Sequence, residues 1–176
     1  MILFVGSLRR VKQVDVLLRA FQIVNRSHPN SHLTIVGSGV KDKELQTLAG
    51  SLGIRDQTTF AGFYAHPDDF FDACDLFVLP SREETFGVVL LEAMTRAKPI
   101  VASNAGAIPE VMGEDEAGPM VTSGDCAMLA AAIQSLAASA PSRERYGRAG
   151  AERARRMFTE DMMHTRLNDF FRRLLK

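Results

Sequence analysis

Six short apolar runs, separated by helical patterns, constrain this chain more than any other feature of its sequence. The runs cover residues 2–5, 32–36, 58–61, 76–79, 100–103 and 120–122. Each is too short for a helix and rich in the β-branched and large apolar residues that suit a strand. After the first run, Val14, Leu17, Leu18, Phe21 and Val24 recur at i, i+3, i+4, i+7, one face of a helix. Further helices are expected over 41–53, ending on glycine, and over 68–73, 86–97, 127–138, 142–157 and 159–174. Strands alternating with helices predict a parallel sheet covered on both faces. The expected fold is therefore α/β, a Rossmann-like open sheet of about six strands. In such sheets ligands bind beyond the carboxyl ends of the strands.

The chain of 176 residues suits one domain with its own core, with a sheet-bearing part over 1–140 and closing helices over 141–176. Its 21 basic and 21 acidic residues cancel. That balance argues against a nucleic-acid binder, which usually shows a basic excess. No apolar stretch approaches the roughly 20 residues of a membrane span. The sequence opens on a strand without a leader, as though a preceding segment had been cut away, and it reads as cytoplasmic. Cys74 and Cys126 stand far apart without metal-ligand spacing and read as buried small apolar residues in a reducing compartment.

The chemistry concentrates in the segment from Pro80 to Met94. From Phe86 to Met94 nearly every residue is apolar, which predicts a helix buried on most sides. Glu92 is the exception, and a carboxylate in such surroundings costs several kcal/mol without a hydrogen-bonding partner. That partner is either a structural cation or a group outside the protein, such as a pair of sugar hydroxyls. Glu84 lies eight positions earlier. At 1.5 Å rise per residue the two carboxylates stand about 12 Å apart. Between them falls the start of the helix, where free N–H groups and the macrodipole favour an anion. Gly87 there lets the backbone approach a ligand closely. A carboxylate, an anion site and a second carboxylate in that order match a sugar, a diphosphate and a ribose.

Glu84 and Glu92, with Phe86-Gly87 between them, resemble the paired-glutamate motif of glycosyltransferases of the family 4 type. The likeness continues in order through Phe4-Val5-Gly6-Ser7-Leu8 with Lys12, residues 33–39, 59–62, 75–81 and 99–103, Gly106-Ala107-Ile108-Pro109-Glu110, residues 118–124 and Met157-Phe158-Thr159. The resemblance implies the nucleotide-sugar-binding half of a retaining, metal-independent enzyme with the two-domain GT-B architecture. The acceptor-binding N-terminal domain would then be absent from this chain. It implies that Glu84 meets the donor sugar near its reacting carbon. Phe86, Gly87 and Val88 would offer backbone groups to the sugar, with the Val88 and Val89 amides near the diphosphate. Glu92 would hold the ribose, and Lys12 would neutralise the leaving diphosphate beside Gly6 and Ser7. Phe63 and Tyr64 would meet the base. The sequence departs from the family at Ser7, where arginine is usual, and at Gln13, where glycine is usual; Arg9 or Arg10 is the expected replacement for the missing charge. No cofactor is implied, the nucleotide sugar being a substrate. Peripheral contact with the inner face of a membrane would come through the full-length enzyme.

Other readings carry less. Gly37-Ser38-Gly39 sits between a strand and a helix, but Asp42 stands where a dinucleotide fingerprint needs its third glycine. A tight turn beside the same cleft is the better expectation. The acidic stretches Asp68-Asp69 and Glu114-Asp115-Glu116 read as solvated loops rather than a metal site. His28, His32, His66 and His164 lack metal spacing, and His66 precedes Pro67 near the expected base loop. Met163, Leu167, Phe170 and Leu174 form a stripe expected to face the core, with Thr159 capping its helix. Arg153, Arg155, Arg156, Arg172 and Arg173 read as a solvated basic surface, with a membrane or the partner domain as alternatives. Two other functions fit the same pattern: a nucleotide-binding module without catalysis, and a sugar-nucleotide epimerase of the same fold.

Overall fold

In the computed structural model, which describes residues 1–114 and 116–174, the six expected strands form one open parallel sheet. They are β1 (Ile2–Val5), β2 (Leu33–Val36), β3 (Thr58–Gly62), β4 (Leu76–Leu79), β5 (Ile100–Ser103) and β6 (Met120–Val121). Their order is β3-β2-β1-β4-β5-β6, and every neighbouring pair runs parallel. Every residue of β1, β2, β4 and β5 is buried. Continuous apolar runs do this when helices cover both faces of the sheet. β3 lies at an edge, and there only Thr58 is buried.

The helices are α1 (Val14–Ser27), α2 (Asp42–Ser51), α3 (Asp68–Ala73), α4 (Val88–Thr95), α5 (Ile108–Met112), α6 (Cys126–Ala138), α7 (Ala140–Met157) and α8 (Glu160–Leu174). The expected stripe of α1 is fully inside, from Val14 to Val24, and the helix packs against α2 and α6. α7 lies on α4 and α6, burying the small residues Gly147, Gly150, Ala151 and Ala154. α5 is too short for its periodicity to be legible, although Pro109 in its first turn is a helix-start signal.

Three expectations change. α4 begins at Val88, two residues later than expected, because Gly87 caps it in the left-handed conformation at φ 79. Nor is α4 buried on most sides: Leu90, Ala93 and Met94 are inside, while Val88 is 60% exposed. The apolar stripe of α8 does not face the core, since no residue of that helix is buried. Met163, Leu167 and Phe170 instead line an open groove of about 600 Å³ with Phe86, Leu91 and Phe158. Periodicity identifies an apolar face; it does not say what covers it.

The basic surface also divides. Arg153 is no solvated residue: it donates to the carbonyls of Val111 and Glu110 and pairs with Glu116 at 2.8 Å, tying α7 to α5. Arg156 joins it at Glu116. Asp68 is likewise paired, with Arg96. Asp115, from the second acidic stretch, lies outside the described residues. Thr159 does cap α8, accepting from the Met162 N–H at 3.3 Å. No described helix is long and apolar enough to cross a membrane.

Candidate functional site

The strand order reverses between β1 and β4, so the crevice that such sheets offer a ligand opens between the loops following those two strands. Lys12 stands on the first of these loops and Glu84 on the second. Their side chains meet across the crevice, with Nζ 2.5 Å from Oε2. Both are largely withdrawn from solvent, at 18% and 9% side-chain exposure. Ser81, fully buried, donates to the same carboxylate oxygen at 3.4 Å. An opposed pair so placed is screened little by solvent.

Glu84 is fixed from the main chain as well. The Ala107 N–H donates to its carbonyl at 3.0 Å. Gly106, at φ 54, brings its backbone so near that a Cβ would lie 2.2 Å from that carbonyl oxygen. Only glycine fits there. On the other side Cγ of Glu84 lies close to Gly87, 3.2 Å from where a Cβ would stand. The carboxylate stem therefore rests at the mouth of α4. Gly87 supplies no side-chain cap, and among the described residues the Val88 and Val89 N–H groups have no hydrogen-bond partner. They are free donors at the positive end of a helix.

Gly6 and Ser7 leave β1 toward the same crevice. Gly37, after β2, crosses Gly6 so closely that a Cβ would lie 1.9 Å from the Gly6 carbonyl oxygen. The Gly37-Ser38-Gly39 turn thus packs against the backbone that follows β1. Ser7 is exposed. Arg9 and Arg10, the expected substitutes for its missing charge, line a separate cavity of about 280 Å³ with Val14, Asp15, Lys41, Glu44 and Leu45. Neither Lys12 nor Glu84 borders that cavity.

Phe63 and Tyr64 follow β3 at the sheet edge, 73% and 49% exposed, with Tyr64 edge-on to Phe70 at 4.8 Å. Phe86 is 43% exposed and meets Phe158 edge-on at 6.0 Å. Glu92 lies on the part of α4 that the core leaves open. Its carboxylate has no hydrogen bond or ion pair among the described residues. Arg96, one turn on, sends its guanidinium to Asp68, Asp72 and the Glu92 backbone carbonyl instead. Partial burial raises the Glu92 pKa; Arg96 opposes this and Asp68 adds to it. Because the helix starts only at Val88, the helical rise covers just half the stretch between Glu84 and Glu92.

Sequence reasoning assigned no role to Ser81, to Gly106 or to Ser123, which donates to the Gln13 side chain at 2.8 Å. Gly106 and Ser123 were legible as turn residues after strands. Their partners belong to loops far off in the chain, which no local pattern reveals.

The family profile for glycosyl transferases group 1 matches residues 1–153. The chain belongs to that family. Over 170 residues the group 1 domain is 34% identical to the lipopolysaccharide core biosynthesis glycosyltransferase LpsD of Rhizobium meliloti, covering 97% of this chain and 46% of that protein. It is 33% identical over 154 residues to a glycogen synthase of Mycobacterium tuberculosis, covering 86% of this chain and 37% of that one. The chain thus spans less than half the length of these curated relatives. Among solved structures, Anabaena HepE in complex with UDP-glucose superposes with a TM-score of 0.87 at 26% identity, over 97% of this chain and 48% of that one. The C-terminal domain of a group 1 family protein from Francisella tularensis superposes at 0.81 with 23% identity, over 90% of this chain and 86% of that one. The group 1 domain is accordingly the Rossmann-like half of a GT-B architecture.

Proposed function

We propose that this chain is the donor-binding domain of a retaining glycosyltransferase that uses a nucleotide-diphosphate sugar and no metal. The carrying observation is the Lys12–Glu84 pair at the strand-order reversal, beside the two free N–H groups that open α4. A cation and a helix start together suit a diphosphate; a carboxylate at the same mouth suits sugar hydroxyls. Glu84 binds the donor sugar with the backbone of Phe86, Gly87 and Val88. Lys12 and the Val88 and Val89 amides hold the diphosphate, beside Gly6 and Ser7. Glu92, a carboxylate without a hydrogen-bond or ion-pair partner among the described residues, accepts from the ribose, and Phe63 and Tyr64 border the base. UDP-glucose in the HepE structure supports a donor of this class.

In the reaction, the bond from the anomeric carbon to the diphosphate oxygen breaks, and Lys12 with the helix start stabilises the growing negative charge. The acceptor oxygen attacks the same face of that carbon and passes its proton to the departing phosphate. A second domain of similar size holds the acceptor, so this domain alone binds nucleotide without transferring sugar. The enzyme works in the cytoplasm, where the free thiols of Cys74 and Cys126 suit reducing conditions, and its acceptor domain brings it to the inner face of the membrane.

Titrating the chain with uridine, guanosine and adenosine diphosphates tests the reading and names the base; binding of none of them overturns it. A second reading, a nucleotide-binding module without catalysis, is favoured by Arg9 and Arg10 lining a cavity apart from Lys12. Glu84→Ala in the full-length protein separates the two. Loss of a transition-state contact costs on the order of 10²-fold or more in turnover, whereas a non-catalytic module has no turnover to lose.

A further inference from the structure

Lys12 is held between two neighbours that are each tied to another loop. On one side, the Val11 carbonyl accepts from the Arg82 N–H at 2.7 Å, fastening the segment to the loop after β4. On the other, Gln13 Oε1 accepts from Ser123 Oγ at 2.8 Å, fastening it to the loop after β6. Ser123 lies 110 positions further along the chain.

Gln13 makes this contact from an unfavourable conformation. Its φ of 49 and ψ of 40 are left-handed, a region that crowds Cβ in residues other than glycine. From there it ends the short 3₁₀ turn Arg10–Lys12 and starts α1, its carbonyl accepting from Val16 and Leu17. Such a conformation persists where the surroundings over-determine it. The surroundings here are the half-buried Gln13 side chain and the turn at Ser123-Gly124, with Gly124 at φ 84 and facing Gln13 Nε2.

We infer that Gln13 and Ser123 form a latch that aims Lys12 at the diphosphate, making both positioning residues for the leaving group. The inference rests on the proposed role of Lys12. It adds a contribution from the β6 loop to a subsite otherwise built by the loops of β1 and β4. Neither residue touches the ligand; both act through the lysine between their anchors.

The test is calorimetric titration of the chain with uridine diphosphate and, separately, uridine monophosphate, or the guanosine or adenosine pair if that is the base it takes. Ser123→Ala and Gln13→Gly should each weaken diphosphate binding about fivefold, the ordinary worth of one hydrogen bond. Monophosphate binding should change less than twofold. The double variant should be no weaker than either single one, because both remove the same contact, and Ser123→Thr should restore wild-type affinity. Glycine suits the left-handed backbone, so Gln13→Gly should melt no lower than wild type, separating a loss of aim from a loss of fold. Wild-type diphosphate affinity in Ser123→Ala, equal losses for both nucleotides, or additive losses in the double variant would overturn the latch alone. A wild-type chain that binds no nucleoside diphosphate would remove the proposed function, and the latch with it.

Discussion

At the scale of single residues, the site is already charge-paired before any ligand arrives. Lys12 and Glu84 neutralise each other at 2.5 Å, so on the proposed function a diphosphate competes with Glu84 for the ammonium. Glu84→Gln keeps the shape and removes the competitor. In calorimetry, the chain's affinity for a nucleoside diphosphate should rise by a factor of a few, while sugar transfer by the full-length enzyme falls about 10²-fold. A drop in diphosphate affinity would mean that the pair does not restrain Lys12. Glu92 behaves differently because its partly buried carboxylate has no hydrogen bond or ion pair among the described residues. Its pKa is raised above the ordinary 4.5, first by desolvation, with Asp68 adding to the effect and Arg96 opposing it. For a carboxyl raised in the folded state, the favourable protonated contribution is present below the unfolded value and lost as pH climbs through the folded one. Glu92→Gln should therefore melt no lower than wild type at neutral pH. On the proposed function it should nevertheless bind nucleotide about tenfold more weakly, since the charged group proposed to accept from the ribose is gone. In wild type, affinity should decline as pH falls through the raised pKa, and titrations across that range should show this component missing in Glu92→Gln.

At the scale of elements, helices differ in what holds them. α1 buries a complete apolar stripe, whereas α8 buries nothing and lays Met163, Leu167 and Phe170 along an open groove. Backbone hydrogen bonds on a helix without buried side chains open at little cost. Hydrogen exchange on the isolated chain should show α8 amides exchanging orders of magnitude faster than those in the middle of α1. Comparable protection in the two helices would contradict this account of α8. α4 lies between these extremes. Its inner side, Leu90, Ala93 and Met94, anchors it, while Val88 and the Glu92 carboxylate remain available on the outside. An apolar sequence at its start gives an exposed helix end here, not a deeper core.

At the scale of the whole molecule, the central strands and the helices around them share one continuous apolar core, and Cys74 lies in it. Burial pushes its thiol up to about 11, so almost no thiolate exists near neutral pH. Alkylation at pH 8 should be slow in the native chain and should accelerate with denaturant in step with loss of helix signal. Fast native labelling of Cys74 would show that the core opens locally. Cys126, expected inside, is only partly buried at the start of α6, although desolvation raises its pKa too. Lys12 became a candidate only through the family resemblance, but the sequence by itself determined the strands, the α1 stripe, the parallel sheet and the candidates Glu84 and Glu92. Those follow from local periodicity and from residue types whose chemistry is the same in any setting. Tertiary structure decided that Lys12 grips Glu84, that Gly106 fixes the Glu84 backbone, that Gln13 leans on Ser123, and that the α8 stripe faces outward. The first three depend on segments tens of residues apart meeting at the carboxyl edge of the sheet, and the last on which face of α8 the other segments leave uncovered. Spacing along the chain carries no record of such meetings, because hydrogen bonds and close packing act only across short distances in space.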